Sequence, residues 1–206
     1  MRAAPTVLVV EDDRVMRESL VWLLKTAELN AEAYGLPGEL LERYDPDQPG
    51  CLVLDLQLSE MTGLELWQRL REKGCRHPFI IISGQGNICT AVQSMHEGAV
   101  DFIEKPFDHQ RLLSRVRQAI QHDANNRRRR VSHLETQTRI DSLTPREREV
   151  MELVVEGNLT KQIAKRLEIS GKTVDVHRSH VTKKMHVQSV AQLVRLMIEH
   201  SLGNTQ

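Results

Sequence analysis

Four short apolar runs in this chain each end in polar residues. Val7-Leu8-Val9-Val10 leads into Glu11-Asp12-Asp13, and Leu52-Val53-Leu54 into Asp55. Phe79-Ile80-Ile81-Ile82 leads into Ser83, and Phe102-Ile103 into Glu104-Lys105-Pro106. Unbroken apolar runs of this length read as strands buried on both faces, the mark of a parallel sheet. Open parallel sheets bind ligands beyond the carboxyl ends of their strands. That placement gathers three carboxylates, a hydroxyl and an ammonium on one rim, a set suited to a divalent cation and a phosphoryl group.

Helical patterns fill the spaces between the runs. Val15, Leu20, Leu23 and Leu24 predict a helix over 14–27, and a weak strand over 31–34 precedes a helix over 36–43. Leu64, Leu66, Trp67 and Leu70 mark a third helix ending at Gly74, and another over 88–96 ends at Gly98. A strand over 101–103 and a helix starting near Asp108 complete five β/α repeats. Repeats of this kind predict a doubly wound α/β domain with five parallel strands and helices on both faces. Its expected extent is 4–122.

The 206 residues are enough for one domain or two. No apolar stretch approaches the roughly 18 residues of a membrane span. The amino-terminal apolar run ends in acids, unlike a signal peptide, so a cytoplasmic protein with no membrane partner is expected. Cys51, Cys75 and Cys89 are too scattered for a disulfide framework or a zinc site, and buried or incidental thiols are expected. The formal net charge is zero but uneven: residues 1–126 carry −6 and residues 127–206 carry +6. That asymmetry points to a basic segment that meets nucleic acid, although Arg127–Arg130 and Arg139 supply much of it.

Residues 123–141 form the expected linker. They lack Gly and Pro, and Leu112, Val116, Ile120, Val131 and Leu134 keep approximate helical spacing, so a long helix and a basic coil both fit. Residues 142–202 read as all helix. Thr144-Pro145-Arg146-Glu147 is a start signal, with Thr as N-cap, Pro in first position and Glu closing a capping box. Gly157 is the expected stop, Thr160 the expected cap of a second short helix, and Ser170 the cap of a third running to Met185. A fourth covers about 189–199. Two short helices joined by a tight turn have the form of a helix-turn-helix.

VLVVEDD, LVLDLQLSEMTGLEL, IIISGQG and GAVDFIEKPF resemble the successive motifs of a two-component receiver domain, flavodoxin/CheY-like in fold. LTPREREVMELVVEGNLTKQIAKRLEISGKTVDVHRSHVTKKM resembles the LuxR-type helix-turn-helix. The ordered set is similar to response regulators of the NarL/FixJ class over nearly the whole chain outside the linker.

The resemblance implies a DNA-binding response regulator, not a turnover enzyme, that takes a phosphoryl group from a sensor histidine kinase. Asp55 matches the phospho-acceptor, and Glu11 and Asp12 match the acidic pair that, with Asp55 and the backbone carbonyl of Gln57, holds Mg²⁺ (or Mn²⁺). Clustered carboxylates repel one another, a cost that a hard divalent cation removes. The receiver itself would catalyse this metal-dependent phosphorylation and its reversal. Lys105 and Ser83 match the groups that bind phosphoryl oxygens, and Phe102 the aromatic switch position; read from the strand alone, Phe102 is an ordinary core residue. Ser59 stands where the family usually has Pro, so a looser loop after Asp55 is expected. Gln57 and Gln85 match variable positions near the phosphoryl group.

In the carboxyl-terminal part, Thr160, Lys161 and Thr173 match backbone anchors. Asp175, Val176 and Ser179 fall near base-contacting positions, and Lys172, Arg178 and Lys183 lie on the exposed side of the recognition helix. Asp175 either accepts from cytosine N4 or orients Arg178. Val190, Leu193, Val194 and Met197 give the last helix an apolar stripe, which either packs within the domain or pairs two copies. Promoter DNA, RNA polymerase and a second copy of the chain are the implied further partners. A phosphate-ester hydrolase is a rival reading, but such enzymes often need a second Asp where Gln57 stands; a regulator independent of phosphorylation is another.

Overall fold

The computed structural model describes residues 4–84 and 88–203, and Gln85 lies outside them. The chain divides into two units, Met1–Asn126 and Arg127–Gln206. Among the described residues no helix is long and apolar enough to cross a membrane.

In the first unit, β1 (Thr6–Val10), β2 (Asn30–Tyr34), β3 (Gly50–Asp55), β4 (Phe79–Ser83) and β5 (Asp101–Glu104) form one parallel sheet in the order β2-β1-β3-β4-β5. The apolar runs are buried because both faces are covered. Leu8, Val10, Leu52, Leu54, Phe79 and Ile81 point toward α2 (Pro37–Arg43) and α3 (Gly63–Glu72). Val7, Val9, Val53, Ile80, Ile82 and Ile103 point toward α1 (Arg14–Thr26) and α5 (His109–Asp141). Such alternation follows from the two-residue period of a strand. β2 is an edge strand in which only Tyr34 is buried, which explains its weak apolar signal. Val15 keeps the helical spacing of α1 yet is 74% exposed. Cys51 and Cys75 are buried and Cys89 is exposed, all as free thiols.

α4 (Ile88–His96) is thinly attached: Ser94 is its one buried residue, while Ile88, Val92 and Met95 are exposed. The residues expected as a linker, 123–141, lie within α5.

The second unit contains α6 (Pro145–Val155), α7 (Thr160–Leu167), α8 (Gly171–Lys184) and α9 (Val190–Gly203). Ile140, Leu143, Val150, Leu153, Ile163, Val174, Val181, Met185 and Leu193 share its core. The expected capping box at Thr144 is present: Glu147 N–H donates to Thr144 Oγ1, and Thr144 N–H donates to Glu147 Oε2. Gly157, at φ +86°, turns the chain out of α6. Ser170 caps α8 by accepting from Thr173 N–H.

Thr160 differs from expectation. It is the first residue of α7, not its cap; Leu159 stands at the cap position, and its N–H is taken by Gln162 Oε1 at 2.7 Å. The reason is tertiary, because the Thr160 hydroxyl is engaged across the motif with α8.

Candidate phosphoryl site and DNA-reading helix

Every strand that carries a candidate residue ends on the same rim. β1 and β3 are neighbours in the sheet while the connections out of them run to opposite sides, the arrangement that opens a crevice at the carboxyl edge. Glu11 and Asp12 follow β1 and Asp55 closes β3. Each offers a carboxylate oxygen, and these lie within 4.8 Å of one another. Glu11 and Asp55 are buried, whereas Asp12 is exposed, so the cluster has one open side.

Lys105, just past β5, spans the two buried acids. Its Nζ donates to Glu11 Oε2 and to Asp55 Oδ2, each at 2.7 Å. Burial pushes the Glu11 carboxyl up to about 7, against the pull of the Lys105 hydrogen bond and with help from nearby Asp55. Burial also opposes the charge on Lys105, but the hydrogen bonds it donates to Asp55 and Glu11 outweigh that effect and raise its pKa. Three carboxylates face one ammonium, and all the donors are hard oxygens. The set therefore fits a small divalent cation.

Local backbone explains the placement. In Glu11-Asp12-Asp13 each acid has a separate position: Glu11 is buried, Asp12 is exposed, and Asp13 caps α1 by accepting from Met16 N–H at 2.7 Å. Arg17, one turn into α1, donates to the carbonyls of Glu11 at 2.6 Å and Asp12 at 3.1 Å, fastening the acidic pair. Nothing in the local pattern singles out Arg17, because a basic residue on an exposed helix face is commonplace.

The loop after Asp55 is closed on itself. Gln57 N–H donates to Asp55 Oδ1, Gln57 bridges Thr62, and Gly63 N–H donates to Leu56 O at 2.9 Å. Thr62 and Glu65 form a capping box at the head of α3. This closure operates with Ser59 in place of proline. Gly63 is required sterically, since a Cβ there would lie 2.2 Å from Asp55 O.

Ser83, fully buried, ends β4 beside Glu104 of β5, and its carbonyl accepts from Lys105 N–H at 2.7 Å. Phe102 is half-buried on β5 and packs against the core beneath α2 and α3.

In the second unit, Val174 and Val181 turn α8 inward. Lys161, Lys172, Thr173, Asp175, Val176, Ser179 and Lys183 are exposed, and Thr160 and Arg178 are half-buried. The Thr160 hydroxyl accepts from Arg178 Nη1 at 3.1 Å and donates to Asp175 Oδ1 at 3.3 Å. Asp175 and Arg178 thus meet through Thr160. Glu147 has a role its cap position conceals: it is 4% exposed and binds Lys184 Nζ at 2.6 Å, with His180 Nδ1 at 3.3 Å, tying α6 to α8. The Lys184 hydrogen bond, aided by Thr144 N–H, holds its carboxyl down at about 2.

Comparison with known proteins agrees with this geometry. The family model of the response regulator receiver domain matches residues 7–117, and that of the bacterial regulatory proteins of the luxR family matches 141–197. Nodulation protein W of Bradyrhizobium diazoefficiens is 40% identical over 92% of this chain and 84% of that protein. The transcriptional regulatory protein FixJ of Azorhizobium caulinodans is 36% identical over 92% of this chain and 90% of that protein. The solved structure of the response regulator StyR superposes with a TM-score of 0.86 at 38% identity, covering 96% of this chain and 100% of that one. Full-length FixJ from B. japonicum gives a TM-score of 0.60 at 33% identity over 97% of this chain. The chain belongs to the NarL/FixJ class of two-component response regulators, with a receiver domain followed by a LuxR-type DNA-binding domain.

Proposed function

We propose that Asp55 accepts the phosphoryl group of a sensor histidine kinase and that the aspartyl-phosphate governs how the second unit engages promoter DNA. The observation that carries this reading is the meeting of Glu11, Asp12 and Asp55 within 4.8 Å, with Lys105 Nζ 2.7 Å from Asp55.

An Asp55 oxygen forms the new P–O bond as the P–N bond of the donor phosphohistidine breaks. Mg²⁺ (or Mn²⁺), held by Glu11, Asp12, Asp55 and the Gln57 carbonyl, would neutralise charge on the phosphoryl oxygens. Lys105 exchanges its hold on the free carboxylate for a phosphoryl oxygen, acting as a point charge. Ser83 donates its hydroxyl to another oxygen. By the family resemblance, Gln57 and Gln85 influence the lifetime of the bound group. The receiver thereby catalyses its own phosphorylation and dephosphorylation without turning over a separate substrate.

Movement of Ser83 toward the phosphoryl group opens space for Phe102 and alters the surface of α4 and β5. The thin packing of α4 supports this, because an element with few buried contacts costs little to shift. In the second unit, α8 enters the major groove with its amino-terminal half. Thr160, Lys161 and Thr173 hold backbone phosphates, joined by Lys172, Arg178 and Lys183, while Asp175, Val176 and Ser179 approach base edges. One such unit makes few contacts, so two copies on paired half-sites bind promoter DNA in the cytoplasm and meet RNA polymerase there. Val190 is exposed while Leu193 is buried, which supports a last helix serving both packing and pairing.

The test is to incubate the protein with a small-molecule phosphodonor and Mg²⁺, trap the acyl phosphate with borohydride and map the modified residue. Modification at Asp55, absent from Asp55→Asn, is expected. Modification elsewhere, or a phosphorylated Asn variant, would refute the acceptor assignment.

A further inference from the structure

Asp175 is an acid on a helix meant for a polyanion, and the structure explains how it is held. Its Oδ1 accepts the Thr160 hydroxyl proton at 3.3 Å, and the same oxygen of Thr160 accepts from Arg178 Nη1 at 3.1 Å. A hydroxyl has one proton to donate and lone pairs to accept, so both bonds form together. Among the described residues Oδ2 of Asp175 has no hydrogen-bond partner, and the residue is exposed. Lys172, Val176, Ser179 and Lys183 form one exposed stripe at i, i+4, i+7 and i+11, and Asp175 flanks it on the side of Thr160. The result is a pre-oriented acceptor at the edge of the reading face, fixed from a second helix.

We infer that Asp175 is a specificity residue that selects cytosine in each half-site by accepting a hydrogen bond from its N4 amino group. This rests on the reading of α8 as the DNA-reading helix. An ionised carboxylate is acceptor only. It is repelled by phosphates and by the N7 and O6 acceptors of guanine. Two bases offer donors in the major groove, cytosine through N4 and adenine through N6. Adenine N6 lies between two acceptors, its own N7 and O4 of the paired thymine, which oppose a carboxylate from both sides; cytosine N4 has O6 of the paired guanine on one side and only a C5–H on the other. Cytosine is therefore the base that Asp175 favours.

The same geometry distinguishes this role from a purely structural one. A residue that only oriented Arg178 would, when removed, weaken binding to every sequence alike. A residue that reads cytosine also repels non-cognate DNA, so its removal erases one base preference and strengthens binding to the wrong sequences.

The experiment is selection from a randomised duplex library with the full chain in the presence of beryllofluoride and Mg²⁺, comparing wild type, Asp175→Ala and Asp175→Asn. Wild type should enrich cytosine at one position per half-site, Asp175→Ala should lose that preference while keeping the others, and Asp175→Asn should move it toward adenine. Replacing the selected C·G pair by T·A should lower wild-type affinity about tenfold and leave Asp175→Ala unchanged. Retention of every base preference by Asp175→Ala, or uniform weakening across all sequences, would overturn the assignment. Failure of wild type to enrich any sequence would contradict DNA reading by α8 itself, and this assignment with it.

Discussion

The ammonium of Lys105 lies 2.7 Å from Oδ2 of Asp55, whose residue is 6% exposed, and at the same distance from buried Glu11. The lysine therefore offsets part of the charge of the two buried carboxylates. Removing one partner of a buried ionic group leaves the others uncompensated. Lys105→Ala is expected to lower stability by about 3 kcal/mol when divalent cations are chelated. Thermal denaturation with chelator and with Mg²⁺ measures this; Mg²⁺ should restore much of the loss in the variant.

Gly63 is tested by adding a methyl group. A Cβ 2.2 Å from Asp55 O forces the Asp55 backbone to move. Overpacking of this kind costs roughly 1–3 kcal/mol. Gly63→Ala should unfold at lower urea and be phosphorylated more slowly than wild type at equal folded concentration.

Glu147 gives the second unit a pH dependence. Its folded pKa, about 2, lies below the ordinary value of 4.5. The unfolded chain thus binds the proton more readily, and the stabilisation is present above pH 4.5 and lost as pH falls toward 2. Glu147→Gln should destabilise by about 2 kcal/mol at neutral pH, the worth of a hydrogen bond to a charged group. The gap between variant and wild type should close on acidification, as followed by urea titrations at several pH values.

Glu168 ends α7 at φ 55°, in the left-handed region. That conformation costs a residue with a Cβ roughly 1–2 kcal/mol, and glycine avoids the cost. Because glycine also gains entropy when unfolded, Glu168→Gly should stabilise the helix-turn-helix by about 1 kcal/mol, seen as a higher urea midpoint.

Much of the first unit was legible because β1, β3 and β4 are buried on both faces, so their apolar runs are unbroken. The rim followed from where those runs stop. Residues whose roles depend on distant partners were not legible. Arg17 reaches back to the carbonyl of Glu11, and Gly63 makes room for Asp55 O. Thr160 has the composition of a cap, yet its hydroxyl is drawn across to Asp175 and Arg178. Glu147 signals a capping box by local spacing, but its bond to Lys184, 37 residues on, depends on the packing of α8 against α6. Val15 satisfies helical periodicity and still faces solvent, because α1 buries Leu20 and Leu24 instead.

Control of DNA binding in the second unit by chemistry at Asp55 is open to a single titration. It measures the affinity of the full chain for its selected duplex with and without beryllofluoride and Mg²⁺, in wild type and Asp55→Asn. Tighter binding by wild type in the presence of the phosphoryl mimic, with no change in the variant, is the predicted result. Equal affinity in wild type under both conditions, or the same gain in the variant, would show that Asp55 does not control DNA binding.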